Sequence, residues 1–117
     1  MKTLKFADPL VPLVLSGQKN ITWRLNDQKD LTVNDILSCL RLDGSEFTQA
    51  KILWVKTTTF KNLTAEDQEG HEKFSTTQEM LDTYSKYYNQ LVNLDTTLKV
   101  VKFELINSSP NKSQLLA

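Results

Sequence analysis

Between Asn20 and Leu25 the side chains alternate, with Ile21, Trp23 and Leu25 apolar and Asn20, Thr22 and Arg24 polar. Successive side chains of an extended chain point to opposite faces, so this segment reads as a strand with one buried and one polar face, and Thr22 and Arg24 point the same way. Strand character returns from Ile36 to Leu42 and in a long run from Phe47 through Val55 towards Phe60. It returns again from Thr97 to Ile106, where apolar residues on both sides predict a strand covered on both faces. Leu4 and Phe6 suggest a short opening strand, and Leu42-Asp43-Gly44-Ser45 carries the Asp-Gly signal of a hairpin turn.

Helical spacing interrupts this pattern twice. Asp8 stands where it can cap a helix whose first position is Pro9, and Gly17 follows its end. A helix is expected over Asp8–Ser16, with Leu10, Val11, Val14 and Leu15 on its buried side. Ser75 with Gln78 three residues on has the form of a capping box. Met80, Leu81, Tyr84, Tyr87, Tyr88 and Leu91 then recur at helical spacing, which predicts the main helix over Ser75–Asn89. Between them, Thr64-Ala65-Glu66-Asp67 makes a short acidic turn that Gly70 breaks. About five or six mainly antiparallel strands with two or three helices define an α+β, mainly β class: a small antiparallel barrel flanked by helices.

With 117 residues, 39% of them hydrophobic, the chain has room for one core. We expect one domain over residues 1–106 and a flexible polar tail over 107–117, beginning Asn107-Ser108-Ser109-Pro110. The 14 basic residues balance the 14 acidic ones, which argues against strong non-specific adhesion to nucleic acid or anionic membrane. Cys39 has no second cysteine to pair with, and His71 is the only histidine, so no zinc-site spacing exists. Leu10 to Leu15 is far shorter than the ~20 residues of a membrane span and is badly flanked for a secretory signal, so a cytoplasmic, reducing location is expected.

The segment Gly17-Gln18-Lys19-Asn20-Ile21-Thr22-Trp23-Arg24 sets a cation beside a hydroxyl nucleophile beside an anion clamp. Lysine acts as a general base only when burial or a neighbouring positive charge lowers its pKa, and Arg24 is a plausible neighbour for that purpose. Strict alternation puts Lys19 and Thr22 on opposite faces, so they converge only if the chain bends after Gly17 or the strand carries a bulge. On spacing alone the same residues also make an ordinary solvated strand face. His71 can shuttle protons at neutral pH, although a lone histidine beside Glu72 is more often a hydrogen-bonded structural residue. Trp23, Trp54, Tyr87 and Tyr88 can stack a base or fill the core, and Cys39, inside a strand, reads as a small buried apolar residue.

This segment resembles the signature of ASCH domains, small β-barrels related to the PUA fold of RNA-binding proteins. Of the usual Gly-x-Lys-x-x-Glu-x-Arg pattern, Gly17, Lys19 and Arg24 match, and Thr22 replaces the glutamate. The Lys-x-x-Thr-x-Arg form is similar to the ASCH subgroup of amidohydrolases that remove the acetyl group from N4-acetylcytidine. Val33-Asn34-Asp35 stands where the family has a Val-Gly-Asp turn, with Asn34 in place of glycine, and Phe103-Glu104-Leu105 ends the last family strand. The likeness spans about residues 2 to 106.

What the resemblance implies is a lysine base at Lys19, a threonine nucleophile at Thr22 and a proton-donating glutamate at Glu72, with Glu66 and Glu69 nearby should the register shift. Arg24 and His71 are expected at the substrate. No cofactor or metal is implied, and the partner is a small nucleoside substrate, with RNA as the other candidate and no membrane. Two alternatives stand beside the hydrolase: a non-catalytic RNA-binding module and a metal-dependent ribonuclease. For the latter the sequence offers no clear carboxylate pair on one strand.

Overall fold

The computed structural model describes residues 1–106, and the expected tail over 107–117 lies outside the described residues. In chain order the elements are β1 (Lys2–Lys5), a 3₁₀ turn (Asp8–Leu10), α1 (Val11–Leu15), β2 (Ile21–Arg24), β3 (Ile36–Leu40), β4 (Glu46–Thr59), a second 3₁₀ turn (Phe60–Asn62), α2 (Ala65–Gln68), α3 (Thr77–Tyr88) and β5 (Thr97–Leu105). The five strands form one sheet in the order β1-β3-β4-β5-β2. β3, β4, β5 and β2 pair antiparallel, whereas β1 runs parallel to β3. That pairing follows from the connection, because the crossover through α1 and β2 returns the chain to the same end of the sheet. Register shifts at Cys39/Leu40 and Ile52/Trp54 bend the 14-residue β4, which pairs first with β3 and then along β5. The result is a mixed five-stranded half-barrel with helices, of the α+β class expected, in which β1 is the one strand that departs from the expected antiparallel pairing.

Two apolar clusters flank the sheet. One gathers Leu4, Phe6, Val14, Leu37, Ile52 and Val101, and the other gathers Ile21, Trp23, Phe60, Met80, Tyr84 and Val100. Val100 and Val101 are both completely buried on opposite faces of β5, so this strand is covered on both sides as its composition predicts. Thr22 sits opposite Val101 and Trp23 opposite Val100. Thr22 therefore faces the first cluster while its neighbours Ile21 and Trp23 anchor β2 in the second.

The helix starts differ from the sequence reading. Asp8 makes no capping bond, and the α-helical part begins only at Val11, because Pro12 lacks the N–H that a helix starting at Pro9 would donate to Asp8 O. Leu15, expected inside, is exposed. In α3 the cap is Thr76, one residue later than expected: its hydroxyl accepts from Glu79 N at 3.0 Å, and Glu79 Oε1 accepts from Ser75 N at 2.6 Å. The helix ends at Asn89 in the left-handed region, which carries Leu91 off the buried stripe to 83% exposure. Asn34, in the place of a family glycine, has φ +73°, a conformation that asparagine tolerates better than other side chains.

Cys39 lies fully buried in the first cluster, and burial pushes its thiol up to about 11. Native protein should therefore react with a thiol reagent at pH 8 at the rate of global unfolding, and a stoichiometric reaction within seconds would contradict that burial.

Candidate active site

The site is assembled at the entry to β2. Gly17 adopts φ +83°, and the turn it closes is held by Gly17 N donating to Val14 O at 3.1 Å and Lys19 N to Leu13 O at 3.0 Å. Lys19 thus precedes the strand instead of alternating within it. Its side chain turns back so that Nζ donates to Ile21 O at 2.7 Å and to Glu72 Oε1 at 2.5 Å. A bend after Gly17, not a strand bulge, brings Lys19 and Thr22 to the same place.

Glu72 arrives from a distant part of the chain. The Gly70 carbonyl accepts from Asn20 N at 2.9 Å and Ile21 N at 3.2 Å, which staples the loop after α2 to the start of β2. Gly70 has φ +85°, and a Cβ there would lie 2.0 Å from Asn20 Oδ1, so any other residue would be strained and would push the Asn20 side chain aside.

Lys19, Thr22, Arg24 and Glu72 line one cavity of about 360 Å³, walled further by Phe6 and Tyr88 and rimmed by Lys5, Leu42 and Tyr87. It opens where the two edge strands, β1 and β2, approach each other. Arg24 ties them together: Nη2 donates to Lys5 O at 3.1 Å, the guanidinium lies 5.0 Å above the Phe6 ring, and Nε donates to Thr22 Oγ1 at 3.0 Å. The Thr22 oxygen therefore accepts from a cation while its own proton remains free to leave.

Lys19 is 3% and Thr22 4% exposed, so this is a desolvated site. Burial lowers the Lys19 pKa below the ordinary lysine value, the Glu72 carboxylate partly offsets this, and the Arg24 charge adds to the lowering. Burial alone would raise the Glu72 carboxyl, but the Lys19 charge and hydrogen bond outweigh it and hold the pKa below the usual carboxylate value.

His71 is not among the residues lining this cavity, which corrects its expected place at the substrate. It is 4% exposed, with Nδ1 2.8 Å from Glu72 O, Nε2 2.9 Å from Tyr84 Oη, and its ring stacked on Trp23 at 3.7 Å. Burial, with the Lys19 charge, lowers its pKa to about 4 and keeps it neutral. Glu72 lines the cavity, and Glu66 and Glu69 are not among its lining residues. Trp23 belongs to the second cluster yet also borders the cavity, and its Nε1 donates to Asp67 O at 2.9 Å. The wall residues Phe6, Leu42 and Lys5 carried no signal in the sequence, since each comes from a strand end or turn that only the folded sheet brings together. Among the described residues, no three His, Cys, Asp or Glu side chains gather as a metal would require, and no helix is long and apolar enough to cross a membrane.

Comparison with known proteins places the fold. No family model matches the chain, and no curated protein matches it. Solved structures do. The chain is similar to an ASCH domain from Lactobacillus crispatus JV V101, with 14% identity, a TM-score of 0.63, and coverage of 89% of this chain and 79% of that one. It is similar to protein EF3133 from Enterococcus faecalis V583, with 15% identity, a TM-score of 0.72, and coverage of 91% and 75%. It also resembles the Y47F mutant of ZmASCH from Zymomonas mobilis, with 13% identity, a TM-score of 0.60, and coverage of 95% and 85%. The chain thus has the fold of ASCH domains.

Two outcomes follow from the geometry. Gly70→Ala forces a side chain into the left-handed region and against Asn20, so a loss of about 1–3 kcal/mol or more is expected in urea unfolding, and an unchanged midpoint would contradict the staple. His71 is neutral in the fold but titrates near 6.5 when unfolded, so the unfolded state binds the extra proton first. Its contribution to stability is complete above pH 6.5 and declines by about 3 kcal/mol as pH falls to about 4. The stability slope between those limits should be shallower in His71→Phe than in the parent.

Proposed function

We propose that this protein is an amidohydrolase that removes the acetyl group from N4-acetylcytidine or a similar acylated nucleoside or base. The observation that carries the reading is that a buried Lys19 and a half-buried Glu72 pair at 2.5 Å in the same cavity as the Thr22 hydroxyl. Transfer of one proton within that pair, from Nζ to Oε1, leaves a neutral amine to act as base and a carboxylic acid to act as donor, with no net titration of the site. The pair rests as the ion pair, and burial lowers the cost of reaching the neutral form from which the reaction starts.

Thr22 Oγ1 attacks the acetyl carbonyl carbon and its proton passes to Lys19 Nζ. Arg24 Nε, already donating to Oγ1, stabilises the negative charge that develops there. The intermediate collapses with cleavage of the C–N bond, Glu72 gives its proton to the departing exocyclic nitrogen, and the acetyl group remains as an ester on Thr22. Water then attacks the ester, giving its proton to the Glu72 carboxylate, and Oγ1 recovers its proton from Lys19 as acetic acid leaves. A second cavity of about 480 Å³ also borders Glu72. The cavity at Thr22 matches the size of one nucleoside, and its aromatic wall of Phe6, Tyr84 and Tyr88 suits a planar ring.

Incubation with N4-acetylcytidine and with a short RNA, each with and without chelator, tests this directly. Release of cytidine unaffected by chelator is expected. RNA cleavage abolished by chelator would indicate a nuclease, and RNA retention without turnover a binding module. Lys19→Ala, Thr22→Ala and Glu72→Ala should each lower kcat on the order of 10²–10⁴-fold while remaining folded, with losses that do not add in the triple variant. Thr22→Ser should keep measurable activity and Thr22→Val almost none. A Thr22→Val protein that hydrolyses as the parent does would replace covalent attack with attack by a Glu72-activated water.

The pH profile of kcat/KM should be bell-shaped, because the pair must hold one proton. Activity falls in acid as the pair gains a second proton, at Glu72, below the ordinary carboxylate value, and in alkali as the pair loses its remaining proton, below the ordinary lysine value. A flat profile across that range would contradict it.

A further inference from the structure

We propose that His71 is the positioning residue for Glu72, a neutral imidazole whose single tautomer holds that carboxylate against Lys19. The inference rests on the amidohydrolase reading for its kinetic consequence but on geometry for the positioning. A carbonyl oxygen only accepts, so the 2.8 Å contact to Glu72 O requires the proton on Nδ1. Nε2 then presents a lone pair, and the Tyr84 hydroxyl at 2.9 Å donates to it. That hydroxyl stays protonated, since burial raises its pKa well above the ordinary tyrosine value.

The same Nδ1 stands 3.3 Å from Glu72 Oε1, the oxygen that Lys19 approaches at 2.5 Å. Nδ1 thus holds the main chain of Glu72 by its hydrogen bond, and through that main chain it sets where the Glu72 side chain departs towards Lys19. The ring itself is fixed in turn. It lies nearly flat on Trp23, at 13° and 3.7 Å, and Trp23 is held by its bond to Asp67 O. Asp67 is fully buried, capped with Thr64 and ion-paired with Lys56 at 2.7 Å.

Glu72 needs such an anchor. It lies two residues after a glycine in the left-handed region, belongs to no regular element, and its side chain is 21% exposed, so its carboxylate has solvent available as a competing partner. His71 does not line the cavity, and at neutral pH it carries no second proton to give. Its role is therefore exerted through Glu72 alone.

The test combines two variants with the parent protein. His71→Phe keeps a ring to stack on Trp23 and removes both nitrogens, whereas His71→Gln retains an amide donor. In the parent, ¹⁵N spectra should show the neutral Nδ1–H tautomer from pH 5 to 9, and an Nε2–H tautomer would overturn the proposal. Without substrate, ¹³C titration should show the Glu72 carboxyl rising by roughly half a unit or more in His71→Phe, and no shift would overturn it. With N4-acetylcytidine, kcat should fall about 10- to 100-fold in His71→Phe with KM nearly unchanged, recover in part in His71→Gln, and show no further loss when His71→Phe is added to Glu72→Gln. Additive losses, or a raised KM at constant kcat, would overturn positioning. A Glu72→Gln enzyme as active as the parent would overturn the catalytic role of Glu72 instead, and the titration would then decide the positioning by itself.

Discussion

The Gly70 carbonyl, shared by Asn20 N and Ile21 N, is the contact on which the site depends. It joins two segments fifty residues apart in sequence and sets Glu72 beside a lysine that would otherwise be buried without a counter-charge. The entry of β2 is also tied to β5, where Asn20 O accepts from Phe103 N. A side chain at position 70 would be strained by φ +85° and would have to displace the Asn20 side chain, so the junction favours glycine.

Burial of charge is costly unless it is paired, and the distribution of polar residues in this molecule shows where that cost is met. Of the five buried polar side chains among the described residues, Lys19, Thr22, Asp67 and His71 belong to the site or its support, and only Ser38 lies elsewhere. Asp67 carries the chain of contacts outward through Trp23 to the ring of His71. Arg24 performs a parallel service at the open side of the half-barrel, bridging β1 and β2 while donating to Thr22. A desolvated amine, a hydroxyl and a carboxylate are thereby held in one cavity by groups that cannot easily relax.

The strands were legible because alternation is a local property: Ile21, Trp23 and Leu25 fix the face on which Thr22 and Arg24 stand, whatever surrounds them. Val100 and Val101 likewise announced a strand covered on both sides. Helix starts were less legible, since Ser75 and Thr76 are both good caps and only the extended backbone at Thr76 chooses between them. The bend after Gly17 was foreseen as one of two ways to join Lys19 with Thr22, and the family likeness directed attention to Glu72. The place of His71 was not legible. Its neighbours Trp23 and Tyr84 lie far along the chain, and no pattern in the sequence distinguishes a histidine that touches a substrate from one that steadies a carboxylate.

The most direct test is the titration of the Lys19 amine by NMR in the parent and in Glu72→Gln. In the parent it should lie below the ordinary lysine value, because burial outweighs the attraction of Glu72. Removing the carboxylate's charge should lower it further, since Glu72 is what partly restores it. A Lys19 amine that titrates as a free lysine does, and that is indifferent to Glu72→Gln, would contradict a buried, proton-sharing pair.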